Sequence, residues 1–160
     1  MTRLDDERLM KLALAQARRA ARAGEVPVGA VIVRPGDPAP LARGHNMMIA
    51  RHDPTAHAEV VAMRRAGRRA ANYRLPGTVL YVTLEPCLLC LGAIVQARMA
   101  RIVYAAEDPK RGALSVCRKP LVANLLHHKF RVTGGVLAEE AGELLRGFFR
   151  SRRLAPPPAG

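Results

Sequence analysis

No apolar stretch in this sequence approaches the roughly 20 residues that a membrane-spanning helix needs. The opening stretch, Met1–Lys11, carries Asp5, Asp6 and Glu7 and has no apolar h-region, so no secretory signal is expected there. Cysteine is scarce: Cys87, Cys90 and Cys117 are the only three. An odd count, with two of them spaced Cys-x-x-Cys, argues against a disulfide framework. It argues for metal or redox chemistry in a reducing compartment, by default the cytosol. No internal repeat and no linker divides the chain. Acidic residues are few: 13 Asp and Glu stand against 26 Lys and Arg, a formal net charge of +13. Nearly all of the excess is arginine. It points to a polyanionic partner such as nucleic acid, although a codon bias can produce the same mix in a chain also rich in Ala, Gly and Pro.

What is present suffices for a packed core. The chain has 160 residues and 49% hydrophobic content, which excludes a disordered protein. One domain is expected over residues 1–153, with the Pro-rich Leu154–Gly160 stretch as a disordered tail. Apolar spacing predicts a helix over Asp5–Ala23, ended by Gly24. Val28–Val33 reads as a buried strand, followed by a turn at Pro35–Pro38 and a returning strand over Leu41–His45. Asn46–Asp53 reads as loop. A helix is expected from Asp53-Pro54-Thr55 to about Ala66, with Arg64, Arg65, Arg68 and Arg69 at its end as either a solvated cap or an RNA contact. Strands follow at Thr78–Thr83 and Arg101–Ala105 around a helix over Cys87–Arg98. A long loop, Asp108–Pro120, precedes a short helix over Leu121–Leu126, a strand at Phe130–Val132 and a last helix over Ala138–Arg152. Strands that alternate with helices make the class α/β, with an initial hairpin and parallel pairing later.

Two short motifs carry chemistry. His57 and Glu59 lie in Thr55-Ala56-His57-Ala58-Glu59. Cys87 and Cys90 lie in Glu85-Pro86-Cys87-Leu88-Leu89-Cys90. Both sit where a strand or loop hands over to a helix, so two positive helix ends would favour thiolates at one point. One imidazole and two thiolates hold zinc at three corners and leave the fourth for a water, which zinc acidifies towards a pKa of about 7. Glu59 is then free to carry a proton to a leaving group such as ammonia. A structural zinc site closed by Cys117 or His52 is the alternative.

The layout His-x-Glu followed by Pro-Cys-x-x-Cys is that of zinc nucleobase deaminases. The flanking words are narrower. Val26–Val31, His52–Glu59, Asn72–Leu75, Leu80–Cys87, Asp108-Pro109-Lys110 with Gly112, and Leu144–Arg150 resemble the bacterial tRNA-specific adenosine deaminases over about residues 5–153. That resemblance implies a three-layer α/β/α, cytidine-deaminase-like fold with a central mixed sheet of about five strands and helices on both faces. It implies hydrolysis of the wobble adenosine to inosine in a tRNA anticodon stem-loop, an arginine tRNA by preference, by a cytoplasmic homodimer holding one Zn²⁺ per subunit. His57, Cys87 and Cys90 map to the zinc ligands and Glu59 to the proton shuttle. Asn46 maps to a residue bonding the flipped nucleotide, Val28 to a pocket wall and Asp108 to a nucleotide contact. Pro86, Phe149, Arg150, Arg152 and Arg153 join the substrate side, Phe149 and the arginines by stacking and phosphate contact. After Gly112 the sequence departs from the family, and Cys117 there reads as a free thiol. A free-nucleobase or nucleoside deaminase, and a non-catalytic zinc-stabilised RNA-binding protein, are the rival readings.

Overall fold

The first helix, α1 (Arg3–Arg22), starts two residues before its expected position in a computed structural model that describes residues 2–115 and 127–154. Thr2 sets that start. Its hydroxyl accepts from the Asp5 N–H while its own N–H donates to the Asp5 carboxylate, so two orphan amides of the first turn are satisfied together. Strand β1 (Gly29–Val33) and strand β2 (Ala42–His45) form the expected antiparallel hairpin. A short helix, α2 (Met48–Arg51), then occupies part of the stretch expected as loop.

Helix α3 (Ala58–Ala70) begins later than Asp53-Pro54-Thr55 and ends later than Ala66. The reason is local. The Asp53 carboxylate accepts from the Thr55 N–H and hydroxyl, which closes a turn, and His57 stays extended at φ −66, ψ 153. Strand β3 (Val79–Leu84), helix α4 (Leu88–Gln96), strand β4 (Arg101–Ala106), strand β5 (Arg131–Thr133) and helix α5 (Ala138–Leu154) complete the described elements. The helix expected at Leu121–Leu126, Cys117 and the tail beyond Leu154 lie outside the described residues.

The sheet runs β2-β1-β3-β4-β5, with β1 antiparallel to both neighbours and β3, β4 and β5 parallel. Register builds one core on each face. Ile32 pairs with Leu80 and Leu80 with Ile102, and this row packs under α3 and α4 with Leu91, Ile94 and Met99. Val31, Tyr81 and Val103 form the alternate row beneath α1 and α5 with Met10, Leu14 and Ala141. Central strands buried on both sides are near-continuously apolar, which is why β1 has no polar alternation. Each fully buried Ile or Leu side chain contributes about 1.5–3 kcal/mol. Tyr81 donates from its hydroxyl to the buried Asp6 carboxylate at 2.6 Å. Arg101 grips the same carboxylate at 2.8 and 3.1 Å, which ties α1 to β3 and β4.

Gly44 lets α3 lie against β2: a Cβ there would collide with the Ala58 carbonyl and the Ala62 amide. The outer edge of β2 is covered by arginines of α3. Arg65 donates to the Arg43 carbonyl at 2.8 Å and Arg69 to the Leu41 carbonyl at 3.4 Å, while Arg64 bonds Asp53 at 3.1 Å. Three of the four arginines read as a helix-end run thus have intramolecular duties. No helix among the described residues is long and apolar enough to cross a membrane.

Candidate active site

His57 is the N-cap of α3 and Cys87 the N-cap of α4, so two helix amino ends point at one place. Neither side chain caps its own helix. Instead they meet: Cys87 Sγ lies 3.5 Å from His57 Nδ1, Cys90 Sγ lies 3.4 Å from the same nitrogen, and the two sulfurs are 3.8 Å apart. A tetrahedral zinc with Zn–S of about 2.3 Å and Zn–N of about 2.0–2.1 Å needs sulfurs about 3.8 Å apart and sulfur-to-nitrogen gaps of about 3.6 Å. The three donors therefore fit zinc without rearrangement. They are the only metal-competent cluster among the described residues, and neither His52 nor Glu59 belongs to it.

The two thiols push each other's proton affinities in opposite directions. Hydrogen bonds from Cys90 and then from His57 hold the Cys87 thiol down to about 3, and the bond given to Cys87, burial and the Glu59 charge push the Cys90 thiol up. His57 is raised, first by its bond to Cys87. Zinc held by His57, Cys87 and Cys90 would take both sulfurs as thiolates, since a coordinating thiol is deprotonated outright. Glu59 stands in the first turn of α3, 4% exposed, and burial pushes its carboxyl up. Its neighbours in this charge network are His57, Cys87 and Cys90.

The cap that His57 does not provide comes from a distant residue. Asn46, 5% exposed, accepts the Ala58 N–H on its amide oxygen at 2.9 Å and donates from its amide nitrogen to the Val26 carbonyl at 3.1 Å. It therefore fixes the backbone between His57 and Glu59 while lining the cavity beside them. That cavity is about 580 Å³, within the range of small-ligand sites, and Val28, Asn46, His57, Glu59, Asp108 and Phe149 all line it. Asp108 has a second role as a turn residue: its carboxylate accepts the N–H groups of Lys110 and Arg111 at 3.0 Å. Phe149 is 46% exposed, packed edge-on against Phe148.

The other expected substrate residues are placed differently. Pro86 does not line the cavity; its carbonyl accepts the Ala113 N–H at 3.0 Å. Arg150 and Arg153 are exposed on α5 outside the cavity lining. Arg152 is also exposed but engaged: its guanidinium covers the Phe148 ring at 5.0 Å and donates to the Gly24 carbonyl.

Among the residues that the sequence did not mark, Glu85 has the clearest role. Glu85 spans the gap between the zinc motif and the Asp108 loop, accepting the Asp108 N–H and the Leu114 N–H, each at 3.2 Å, on its two carboxylate oxygens. Gly112 makes room for it, since a Cβ there would overlap that carboxylate. Glu85 stands directly before Pro86-Cys87 at the carboxyl end of β3, and that position was the available signal. Met48, Glu107, Lys110, Arg111 and Leu145 are among the other lining residues that sequence reasoning did not assign.

This fold and this site define a zinc-dependent deaminase. Residues 3–106 match the family model for the cytidine and deoxycytidylate deaminase zinc-binding region. The tRNA-specific adenosine deaminase of Haemophilus influenzae is 44% identical over 148 residues, which covers 92% of this chain and 85% of that protein. The tRNA-specific adenosine deaminase of Bacillus subtilis is 41% identical over 148 residues, covering 92% and 91%. A solved structure from work on A-to-I editing by tRNA:A34 deaminases at the wobble position of transfer RNA is 41% identical. It has a TM-score of 0.78 and covers 86% of this chain and 99% of that one. The chain belongs to the tRNA-specific adenosine deaminase family.

Proposed function

We propose that this protein deaminates the wobble adenosine of a tRNA, an arginine tRNA by preference, to inosine with release of ammonia. The observation that carries the reading is the zinc-spaced triad of His57, Cys87 and Cys90 beside the buried Glu59 in one cavity. Zinc held there supplies Lewis acidity that brings a water towards hydroxide at neutral pH. Glu59 takes the proton of the attacking water and delivers it to the departing amine, a role suited to a carboxyl whose burial makes it a better base. Val28 walls the base pocket. Asn46 keeps one amide hydrogen beyond its bond to Val26, and this hydrogen serves the nucleotide.

The adenine has to leave its stack to reach the metal, so the substrate is an anticodon stem-loop with splayed bases. Phe149 stacks on a flanking base at the cavity mouth, while Asp108 bonds the nucleotide. Arg150, Arg152 and Arg153 lie along α5 for phosphates. The working form is a cytoplasmic homodimer with one zinc per subunit, and residues 1–153 act as one domain.

The test is incubation with total tRNA, followed by sequencing for inosine at wobble positions. An anticodon stem-loop alone is expected to suffice. Glu59→Gln is expected to keep one zinc per chain and to lose roughly 100- to 10,000-fold in rate. Turnover of free adenine or guanine without editing of RNA would replace this reading with a nucleobase deaminase. RNA binding without turnover by the zinc-loaded protein would reduce it to a binding module.

A further inference from the structure

At the outer edge of the sheet, three arginines from three elements come close enough to His45, the last residue of β2, for their charges to act on it. Arg19 comes from α1 on one face, Arg65 from α3 on the other, and Arg51 closes α2, which follows the strand. All three are exposed, and none forms an ion pair among the described residues. Arg65 spends one donor on the Arg43 carbonyl and has four left. His45 lies among them. It pairs across the strands with Gly29, against which Gln16 of α1 packs.

Like charges gathered in this way repel. Partial burial, then the charges of Arg51 and Arg19, hold the Arg65 guanidinium below its usual value. Burial, then Arg19 and Arg65, lower His45, opposed by Glu25 and joined by Arg51. Glu25, the carboxylate that faces the group among the described residues, accepts the Ala50 N–H on one oxygen and so anchors α2 rather than forming an ion pair with a guanidinium. Three cations held together without a matching anion suit a ligand that brings its own negative charge.

The position says which ligand. Residues 45–51 lead directly from this rim into the cavity: His45 and Arg51 belong to the rim, and Asn46 and Met48 line the pocket. We propose that Arg19, Arg51 and Arg65 bind a backbone phosphodiester of the RNA substrate, away from the reacting nucleotide, beside the outer edge of β2. This rests on the reading of the substrate as RNA. The rim is a second hold on the RNA, separate from the contacts on α5. It anchors a polyanion without touching the base to be deaminated.

Binding of an anticodon stem-loop, measured between about 50 and 200 mM salt, tests it. The Arg19→Gln/Arg51→Gln double variant leaves the Arg65 bond to β2 intact. It is compared with Arg8→Gln/Arg34→Gln, which removes the same charge at the opposite end of the β1–β2 hairpin. The rim variant is expected to bind roughly tenfold more weakly at low salt, with the slope of log K against log salt smaller by about 1. The rate at saturating RNA and the zinc content should match wild type. The control variant is expected to change neither affinity nor slope to that extent. Wild-type affinity and slope in the rim variant overturn the proposal and leave the deaminase reading intact. Equal losses in both variants also overturn it, since they report net charge alone. Failure of the wild-type protein to bind any tRNA overturns the rim and the substrate reading together.

Discussion

Replacing Glu85 isolates the link between the zinc motif and the loop that closes the cavity. Its two carboxylate oxygens hold the Asp108 and Leu114 amides, each at 3.2 Å. A hydrogen bond to an ionised group contributes about 1.5–3 kcal/mol, and these distances favour the lower end. Glu85→Ala therefore removes about 3 kcal/mol from the closed loop. At about 1.4 kcal/mol per factor of ten, local opening rises by roughly 150-fold. Glu85→Gln keeps one acceptor and loses the charge, so it costs about half as much, roughly tenfold. Amide hydrogen exchange at Asp108 and Leu114 reads this directly, since both amides are protected only while the loop is closed. Zinc content should stay at wild-type level, because none of the three ligands is touched. Gly112→Ala should reproduce the loosening, as its Cβ displaces the same carboxylate. Unchanged exchange at both amides in Glu85→Ala would falsify the pinning role and leave Glu85 as a mere lining residue.

Two further predictions concern the buried network under α1. Asp6→Ala removes the carboxylate that the Arg101 guanidinium, 14% exposed, and the Tyr81 hydroxyl share. Equilibrium denaturation in urea should show a loss of about 3–5 kcal/mol, and a loss below about 1 kcal/mol would refute the network's importance. Tyr81 is held neutral, with its pKa raised by burial and by the bond to Asp6. The sign follows: the folded state keeps the phenol proton, the unfolded chain releases it above about pH 10, and stability falls as pH rises beyond that value. Tyr81→Phe should flatten this alkaline loss in pH-dependent melting. An alkaline slope unchanged from wild type would assign it to other groups.

The metal ligands were legible in the sequence because each motif is short and begins a helix. Cys87 and Cys90 share a helical turn, and His57 opens another, so local spacing alone brings donors to helix ends. The alternation of strands and helices was legible for the same reason, as hydrophobic period is a local property. What tertiary structure decided were the contacts between residues far apart in the chain. Asn46 caps α3 from 12 residues away, and that bond sets the backbone at His57 and Glu59, where local reading had started the helix at Asp53. Glu85 acquires its role only when β4 brings Asp108 beside the end of β3. Arg65 and Arg69 turn from a solvated run into covers of a strand edge because Gly44 admits α3 to β2. Chain-local chemistry selects residue types for the metal and for helix starts. Which partner satisfies a buried amide, and which arginine is left for an anion, depends on elements that meet only in the folded chain.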